Sequence, residues 1–316
     1  MRRLLALIAL LAVAAGAYVL TRPARPDGTP SAAQAASSPE PEPTPLEGGG
    51  TAPSPLAVRL DLPTDNVQIR FKKPPRAALL FDVDTGRVLY RKDPTRVLPI
   101  ASLTKMMTAL VVVDRVPPGA KVRVTKEALA YQGSGVGLLP KNKWIGVNTM
   151  LYGLLLPSGN DAAIALAQRA AGGSVKRFVR LMNEKAQKLG LECSHFGTPS
   201  GFEDEGNHSC AADLAAIGRA VLREPRLRKI VASREAVLPF PIKGGRLWLY
   251  NHNPLLRQGY AGTTGIKTGY TDAAGRCLVA TARRGNVRLG VVLLHSPDPG
   301  KQAMQLLDRG FKASRG

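Results

Sequence analysis

The chain has 316 residues, of which 44% are hydrophobic, so it is long enough to bury one large core or two smaller ones. Its formal net charge of +21 favours an anionic partner such as nucleic acid, acidic lipid or an acidic polymer, although an arginine-rich surface that only aids solubility has the same composition. Nucleic acid is disfavoured, because no known binding motif is present and aromatic residues make up only 5% of the chain, few for stacking on bases.

The N-terminus has the layout of an export signal. Arg2 and Arg3 precede an apolar run from Leu4 to Leu20 that ends among small residues. Ala15–Ala17 is a candidate cleavage site, and the run is also long enough to remain as an uncleaved membrane anchor. Both alternatives place the remaining chain outside the cytoplasm, which further disfavours nucleic acid as a partner.

The next segment is rich in proline, alanine and serine and has almost no large apolar residues. Such a composition cannot bury a core and predicts an extended spacer, which is most useful when its start is tethered to a membrane. We therefore divide the chain into a signal peptide or anchor at 1–20, a disordered linker at 21–62 and a folded domain at 63–316.

The folded region begins with two predicted strands. The segments 77–81 (AALLF) and 87–90 (RVLY) are apolar, and the sequence Asp84–Gly86 between them is typical of a turn. An apolar run with helical character follows over Pro99–Val113, and two prolines in the segment 114–119 predict its end.

Ser102 and Lys105 stand at the start of this helix. Residues at i and i+3 share one helix face. A serine becomes a strong nucleophile when a base takes its proton, and a lysine can act as that base if burial or a nearby cation keeps it uncharged. A capped helix of no catalytic role has the same local pattern, so the pair predicts chemistry only together with other motifs.

A second motif lies at a break between two predicted helices, Thr149–Leu156 and Asp161–Ala171. The sequence there is PSGNDAA, which places Ser158 and Asn160 at the break. Taken alone, these residues are equally typical of a capped turn between helices.

A third motif, Lys267–Gly269, lies at a predicted strand edge. Two more strands follow at 276–282 and 287–294, with Gly285–Asn286 as a turn between them, and the residues 301–311 have helical spacing. Strands at both ends of the folded region with helices between them predict an antiparallel sheet sandwiched by helices, an α+β fold.

The chain has three cysteines and four histidines. In an oxidising compartment Cys193 and Cys210 can pair, whereas Cys277 lies in an alternating apolar run and is predicted to be a small buried residue. The histidines lack metal-ligand spacing, so no metal and no other cofactor is expected.

The order Ser-x-x-Lys, Ser-x-Asn and Lys-Thr-Gly is the motif set of penicillin-binding proteins and serine β-lactamases. With the turn of the opening hairpin and the segments around Ser158, the chain resembles the low-molecular-mass D-alanyl-D-alanine carboxypeptidases, serine peptidase family S11, over roughly Pro74–Phe311. The resemblance implies a five-stranded antiparallel sheet flanked by helices, an inserted helical lobe, and a catalytic domain at 63–316.

The resemblance also implies the reaction. Ser102 would form an acyl-enzyme with peptidoglycan stem pentapeptides in the bacterial cell envelope and release the terminal D-alanine. Lys105 would be the base, Ser158 would relay the proton to the leaving amine, and β-lactams would be covalent inhibitors. Anionic envelope polymers or lipids are further partners that the basic charge suits.

Five residues would bind the substrate by the same resemblance. Asn160 would hold the base and the substrate amide, while Lys267 and Thr268 would bind the terminal carboxylate. Gly269 would let the substrate lie against the strand edge. The N–H of Tyr270 would share the oxyanion hole with that of the nucleophile.

The sequence departs from the family at one place and leaves alternatives open. Relatives often carry an arginine before the last helix to bind the carboxylate, whereas the segment 296–301 (SPDPGK) offers only Lys301. A DD-endopeptidase uses the same residues. A β-lactamase would need a glutamate motif, and 203–207 (EDEGN) has Gly206 where that motif has leucine. A non-catalytic wall-binding or penicillin-sensing module is disfavoured, because a binder needs no Ser–Lys pair.

Overall fold

The structure is a computed structural model that describes residues 54–62, 66–202, 206–242 and 244–314. The predicted signal or anchor and the linker up to residue 53 lie outside the described residues, as do residues 203–205 of the candidate glutamate motif. None of the helices that are described has both the length and the apolar character to span a bilayer.

The described chain alternates between short strands and helices. The strands are β1 (Ala77–Asp82), β2 (Val88–Lys92), β3 (Leu98–Pro99), β4 (Lys121–Arg123), β5 (Trp144–Gly146), β6 (His208–Ser209), β7 (Glu235–Pro239), β8 (Arg246–Tyr250), β9 (Thr263–Thr271), β10 (Gly275–Arg284) and β11 (Val287–Leu294). The α-helices are α1 (Lys105–Arg115), α2 (Lys126–Leu129), α3 (Val147–Leu155), α4 (Asn160–Ala170), α5 (Val175–Lys188), α6 (Ala211–Arg223), α7 (Pro225–Ala232), α8 (Pro254–Arg257) and α9 (Pro299–Ala313).

Five strands form the main sheet in the order β2-β1-β11-β10-β9, and all pairs are antiparallel. Both faces of the sheet are covered by helices, so strand β1 is buried along its whole apolar run. Leu79 and Phe81 pack on the face covered by α6, and Ala78 and Leu80 pack on the opposite face, covered by α9. The predicted α+β fold, with its five-stranded antiparallel sheet, is confirmed.

The helical lobe lies between β2 and β9 in the chain. Helix α1 ends at Arg115, two residues before the first of the two prolines, as expected. Helices α3 and α4 are separated by the short break that the sequence predicted, and Ser158 lies within that break.

The structure corrects the predicted end of the linker. Leu56 and Val58 are buried in the main core, and the buried guanidinium of Arg219 donates hydrogen bonds to the carbonyl oxygens of Leu56 and Ala57 at 2.6 and 2.8 Å. Its remaining hydrogen bonds go to the hairpin between β1 and β2. The residues 54–62 therefore belong to the folded domain, because one long-range cation and two apolar side chains hold them there.

Candidate active site

Ser102 lies in a 3₁₀ turn, Ala101–Thr104, that leads directly into α1. Ala101 has a φ of +49°, a left-handed conformation that few non-glycine residues adopt, and it sets the direction of the turn. Lys105 is the first residue of α1, and its Nζ lies 2.8 Å from Ser102 Oγ. The pair therefore shares one face at hydrogen-bonding distance, which is the arrangement that a base and its nucleophile require.

The amine of Lys105 is fully buried and has polar partners on three sides. Besides Ser102 Oγ, it donates hydrogen bonds to Asn160 Oδ1 at 2.7 Å and to the carbonyl of Ser200 at 2.8 Å. Burial holds the pKa of Lys105 well below its usual value, the charge of Lys267 lowers it further, and Asp161 partly opposes both. A neutral amine beside the hydroxyl is thus accessible without strongly basic pH.

Ser158 occupies the break between α3 and α4 with a φ of +67°. Its hydroxyl is buried and has no hydrogen-bond partner among the described residues. Next to it, Asn160 donates through Nδ2 to the carbonyl of Gln132 at 2.5 Å, and its backbone N–H donates to the carbonyl of Ser134 at 2.8 Å. The second motif is thus joined both to Lys105 and to the loop at 131–139.

Asp161 holds the same loop, and the sequence analysis did not single it out. Its buried carboxylate accepts hydrogen bonds from the backbone N–H groups of Val136 at 2.9 Å and Gly137 at 3.2 Å, and from Ala162 at 2.7 Å. An acidic residue in the first turn of a helix is the only sequence signal for this role, and that signal is common.

Strand β9 brings the third motif to the nucleophile. Lys267 is buried, donates to the carbonyl of Thr268 at 2.9 Å, and has a pKa that burial lowers to about 7. A Cβ on Gly269 would lie 2.9 Å from the carbonyl oxygen of Ile100 and 3.2 Å from the amide nitrogen of Ser102. The glycine therefore allows the strand to pack against the nucleophile turn. The protein itself requires a glycine here, in addition to the approach of the substrate that the resemblance implies.

The three motifs meet at one cleft of about 320 Å³. Five predicted site residues line it, while Lys105, Asn160 and Lys267 are buried. The complete lining is Ser102, Ser134, Ser158, His252, Pro254, Thr268, Gly269, Tyr270, Arg276, Cys277 and Pro299.

Arg276 is the cation of this cleft that the sequence analysis missed. It lies on β10 opposite Tyr270, is exposed, and donates through Nη1 to the carbonyl of Pro297 at 2.9 Å. Lys301, the only cation expected near the missing family arginine, does not line the cleft. Strand alternation places Arg276 on one of two faces, but only the pairing with β9 shows which face meets the site.

Cys193 and Cys210 form a disulfide. It links the segment after α5 to the start of α6, where Asp213 accepts hydrogen bonds from the N–H of Cys193 and the hydroxyl of Ser194, both at 2.8 Å. Cys277 is buried beside the cleft, as predicted.

The model of the D-alanyl-D-alanine carboxypeptidase family, Peptidase_S11, matches residues 68–298, which include all three motifs. The chain belongs to this family. Within it, the chain is 36% identical over 244 residues to D-alanyl-D-alanine carboxypeptidase DacF of Bacillus subtilis, and the match covers 75% of this chain and 62% of DacF. The chain thus spans less than two thirds of that relative's length.

Two further comparisons cover most or all of the other protein. The chain is 36% identical to D-alanyl-D-alanine carboxypeptidase DacB2 of Mycobacterium tuberculosis, across 75% of this chain and 82% of DacB2. The crystal structure of the Streptomyces K15 DD-transpeptidase superposes with a TM-score of 0.72 at 31% identity, covering 78% of this chain and 100% of that one. The described domain therefore has the same fold as that transpeptidase.

Proposed function

We propose that this chain is a serine-type D-Ala-D-Ala carboxypeptidase, which removes the terminal D-alanine from peptidoglycan stem pentapeptides through an acyl-enzyme on Ser102. The observation that carries this proposal is the 2.8 Å contact between Ser102 Oγ and the buried Nζ of Lys105, whose pKa is lowered by burial and by Lys267. A hydroxyl beside an amine that can be neutral is a nucleophile with its base in place.

In the proposed reaction, neutral Lys105 takes the proton of Ser102 as Oγ attacks the carbonyl carbon of the penultimate D-alanine. The backbone N–H groups of Ser102 and Tyr270 donate to the oxyanion, and such donors are typically worth about 3 kcal/mol each. The C–N bond then breaks, and the proton passes from Lys105 through Ser158 to the leaving amine. Water hydrolyses the remaining ester and restores the free hydroxyl.

The terminal carboxylate of the substrate is assigned to Thr268 and Arg276. Both line the cleft, and an arginine can bind a carboxylate through two parallel hydrogen bonds. Lys267 is buried behind the cleft wall, and its amine donates a hydrogen bond to the carbonyl of Thr268. It therefore helps to position Thr268. This assignment supplies from β10 the arginine that the segment 296–301 lacks.

The decisive experiment is covalent labelling with a fluorescent penicillin. We expect the wild-type chain to be labelled and to release D-alanine from a pentapeptide, and Ser102→Ala to do neither. Ser134→Ala is the matched control, because this serine lines the same cleft and is expected to keep the label. A label that persists in Ser102→Ala would show that Ser102 is not the nucleophile.

The same labelling separates two of the alternatives, a β-lactamase and a non-catalytic wall-binding module. Cleavage of a purified cross-linked dimer, compared with release of D-alanine from a pentapeptide, separates a DD-endopeptidase. A carboxypeptidase releases bound penicillin slowly, whereas rapid turnover of the drug would indicate a β-lactamase. A non-catalytic wall-binding module would bind without forming a covalent adduct.

The proposed location is the bacterial cell envelope, outside the cytoplasm, with residues 1–20 as a cleaved signal or as an anchor and the following segment as a linker. The net charge of +21 suits anionic envelope polymers or lipids there. Fractionation of cells that express the full chain tests the location and the choice between anchor and cleaved signal. An anchored chain stays with the membrane, and a cleaved chain starts after residue 17.

A further inference from the structure

A cavity of about 220 Å³ lies between the turn of the opening hairpin, helices α6 and α7, and strand β11. Within the described part of the chain, it shares no lining residue with the active-site cleft. The charged residues that line it are Arg219, Arg223, Arg228, Arg288 and Asp84. We call it the arginine cavity, because four guanidinium groups surround it and only one carboxylate does.

The carboxylate of Asp84 is already engaged by one of the four arginines. It accepts hydrogen bonds from Arg288 Nε at 2.9 Å and from Arg288 Nη2, and this contact lowers the pKa of Asp84. Glu224, the acidic residue between α6 and α7, does not line the cavity, and it accepts a hydrogen bond from the backbone N–H of Arg226 at 3.1 Å. Three guanidinium groups therefore have no carboxylate of their own.

Arg219 is the buried member of the cluster, with only 3% of its surface exposed. A guanidinium has five N–H donors, and four of those of Arg219 are used by backbone carbonyl oxygens at 2.6 to 2.9 Å. The second hydrogen of Nη2 has no acceptor among the described residues. The backbone thus fixes a buried cation beside the cavity and leaves it one free donor.

The arginines also repel one another. Burial lowers the pKa of Arg219, the charge of Arg223 lowers it further, and Asp82 and Asp84 partly oppose both. Arg223 and Arg228 are exposed and have neither a hydrogen bond nor an ion pair to any described residue. An anion between these groups would turn their mutual repulsion into attraction.

A phosphate group fits this set of donors better than a carboxylate does. A phosphate presents several oxygens in different directions, and planar guanidinium groups can each bind it through parallel hydrogen bonds. The excess of three positive charges also suits a ligand with more than one negative charge. The cavity volume is several times that of a water molecule, about 30 Å³, so a phosphate group has room in it.

We propose that the arginine cavity binds a phosphate group of an anionic phosphodiester polymer of the cell envelope. This inference rests on the proposed function for the location outside the cytoplasm. Such a contact holds the enzyme at the envelope through a surface separate from the cleft, so the active site stays free for stem peptides.

The surroundings of the cavity favour a polymer over a lipid bilayer. A surface that docks on a membrane combines basic residues with exposed large apolar side chains that enter the lipid. Among the described residues, no exposed large apolar side chain lines the arginine cavity, and its two apolar lining residues are buried. A single chain of phosphodiesters can reach a recessed cation that a flat bilayer would not contact.

The test measures the binding of a fluorescent poly(glycerol phosphate) to the full-length protein at fixed ionic strength. We expect Arg223→Ala with Arg228→Ala to raise Kd about tenfold or more, since each charged hydrogen bond is worth about that factor. Inorganic phosphate is expected to displace the polymer from the wild type more strongly than sodium chloride of equal ionic strength. Equal displacement by the two salts would contradict the recognition of phosphate.

Arg177→Ala with Arg180→Ala is the matched control, because it removes the same charge from exposed positions on α5. The control is expected to bind the polymer as the wild type does. If it loses as much affinity as the double variant of the cavity, binding follows net charge alone and the proposal is wrong.

Vesicles that contain phosphatidylglycerol separate the polymer from a membrane. The cavity variant is expected to bind them as the wild type does. Loss of vesicle binding with unchanged polymer binding would mean that a lipid headgroup occupies the cavity, which overturns the proposal.

Penicillin labelling and the release of D-alanine from a soluble pentapeptide are expected to be the same in the wild type and in both double variants. Equal labelling also shows that the variants are folded. A wild type that binds the polymer but fails in both reactions would contradict the proposed function and leave this site standing.

Discussion

Lys105 illustrates how the surroundings of one residue create reactivity. Its three hydrogen-bond acceptors offset only part of the free energy that the charged amine loses when it leaves water. A buried lysine without a close carboxylate partner is therefore more stable in its neutral form. Asp161 is the acidic group that acts on it, and this carboxylate is already engaged by backbone N–H groups. The free energy of folding thus maintains a base that would be protonated in water.

The pH dependence of acylation tests this account. Because only the neutral amine can take the proton, acylation rises as pH increases through the lowered pKa of Lys105. Lys267→Met removes a charge that lowers this pKa, so the rising limb of the pH profile is expected to move to higher pH. The charge of Lys267 is itself lost above about pH 7, so the effect is confined to lower pH. The measurement is the second-order rate of penicillin labelling against pH.

Asp161→Asn gives the opposite expectation. The carboxylate raises the pKa of Lys105, so its neutralisation is expected to move the rising limb to lower pH. The amide keeps one oxygen for the loop N–H groups, which limits structural change. Shifts of the same sign in Asp161→Asn and Lys267→Met would contradict the electrostatic account.

Arg276 gives a prediction on substrate choice. Arg276→Ala is expected to raise KM about tenfold for a peptide with a free terminal carboxylate, the loss of one charged contact, and to leave the reaction with a C-terminal amide unchanged. Lys301→Ala is the control, since Lys301 does not line the cleft. An equal loss on the acid and the amide would mean that Arg276 acts only through structure.

At the scale of elements, the site depends on close packing between a turn, a loop and a strand edge. The carbonyl of Ser200 reaches Lys105 only because the following residue, Gly201, passes close to the nucleophile turn with a φ of +71°. Gly269 also packs closely against this turn. The positions of these segments therefore depend on one another.

Gly201→Ala tests this packing. The added Cβ would overlap the carbonyl oxygen of Ala101 and the hydroxyl of Thr104, and the left-handed conformation adds strain. We expect penicillin labelling to slow by about tenfold or more and the free energy of unfolding to fall by about 1 to 3 kcal/mol. Gly119→Ala is the control, because its Cβ would meet no atom within 4 Å. Labelling of Gly201→Ala at the wild-type rate would show that this contact does not position Lys105.

At the scale of the whole molecule, distant parts of the chain are held by a few specific connections. Arg219 on α6 joins the first described residues to the opening hairpin, and the disulfide joins the start of the same helix to the segment after α5. Helix α6 thus connects three segments that are distant in the sequence.

The disulfide gives a stability prediction. Cys193 and Cys210 are 17 residues apart, and closing a loop of this size is worth about 3 kcal/mol in the chain-entropy account. We expect Cys193→Ser with Cys210→Ser to lower the free energy of unfolding by about that amount and to make it insensitive to reductant. Cys277→Ala, a buried cysteine outside the bond, is expected to keep the sensitivity to reductant. Unchanged unfolding in the double variant would contradict the prediction.

The sequence by itself determined the α+β fold, the three motifs and the helices and strands that carry them, because apolar periodicity, prolines and turn residues act over a few neighbouring positions. It also indicated the Ser102–Lys105 contact, since one helical turn joins these residues. The signal or anchor and most of the linker stay predictions.

Only the tertiary structure decided which residues from distant segments meet. The pairing of β9 with β10 places Arg276 at the cleft, the packing of α6 draws Leu56 into the core, and the approach of strand and turn explains Gly269. These contacts depend on strand register and helix packing across many residues, and a local pattern in the sequence holds no information about either.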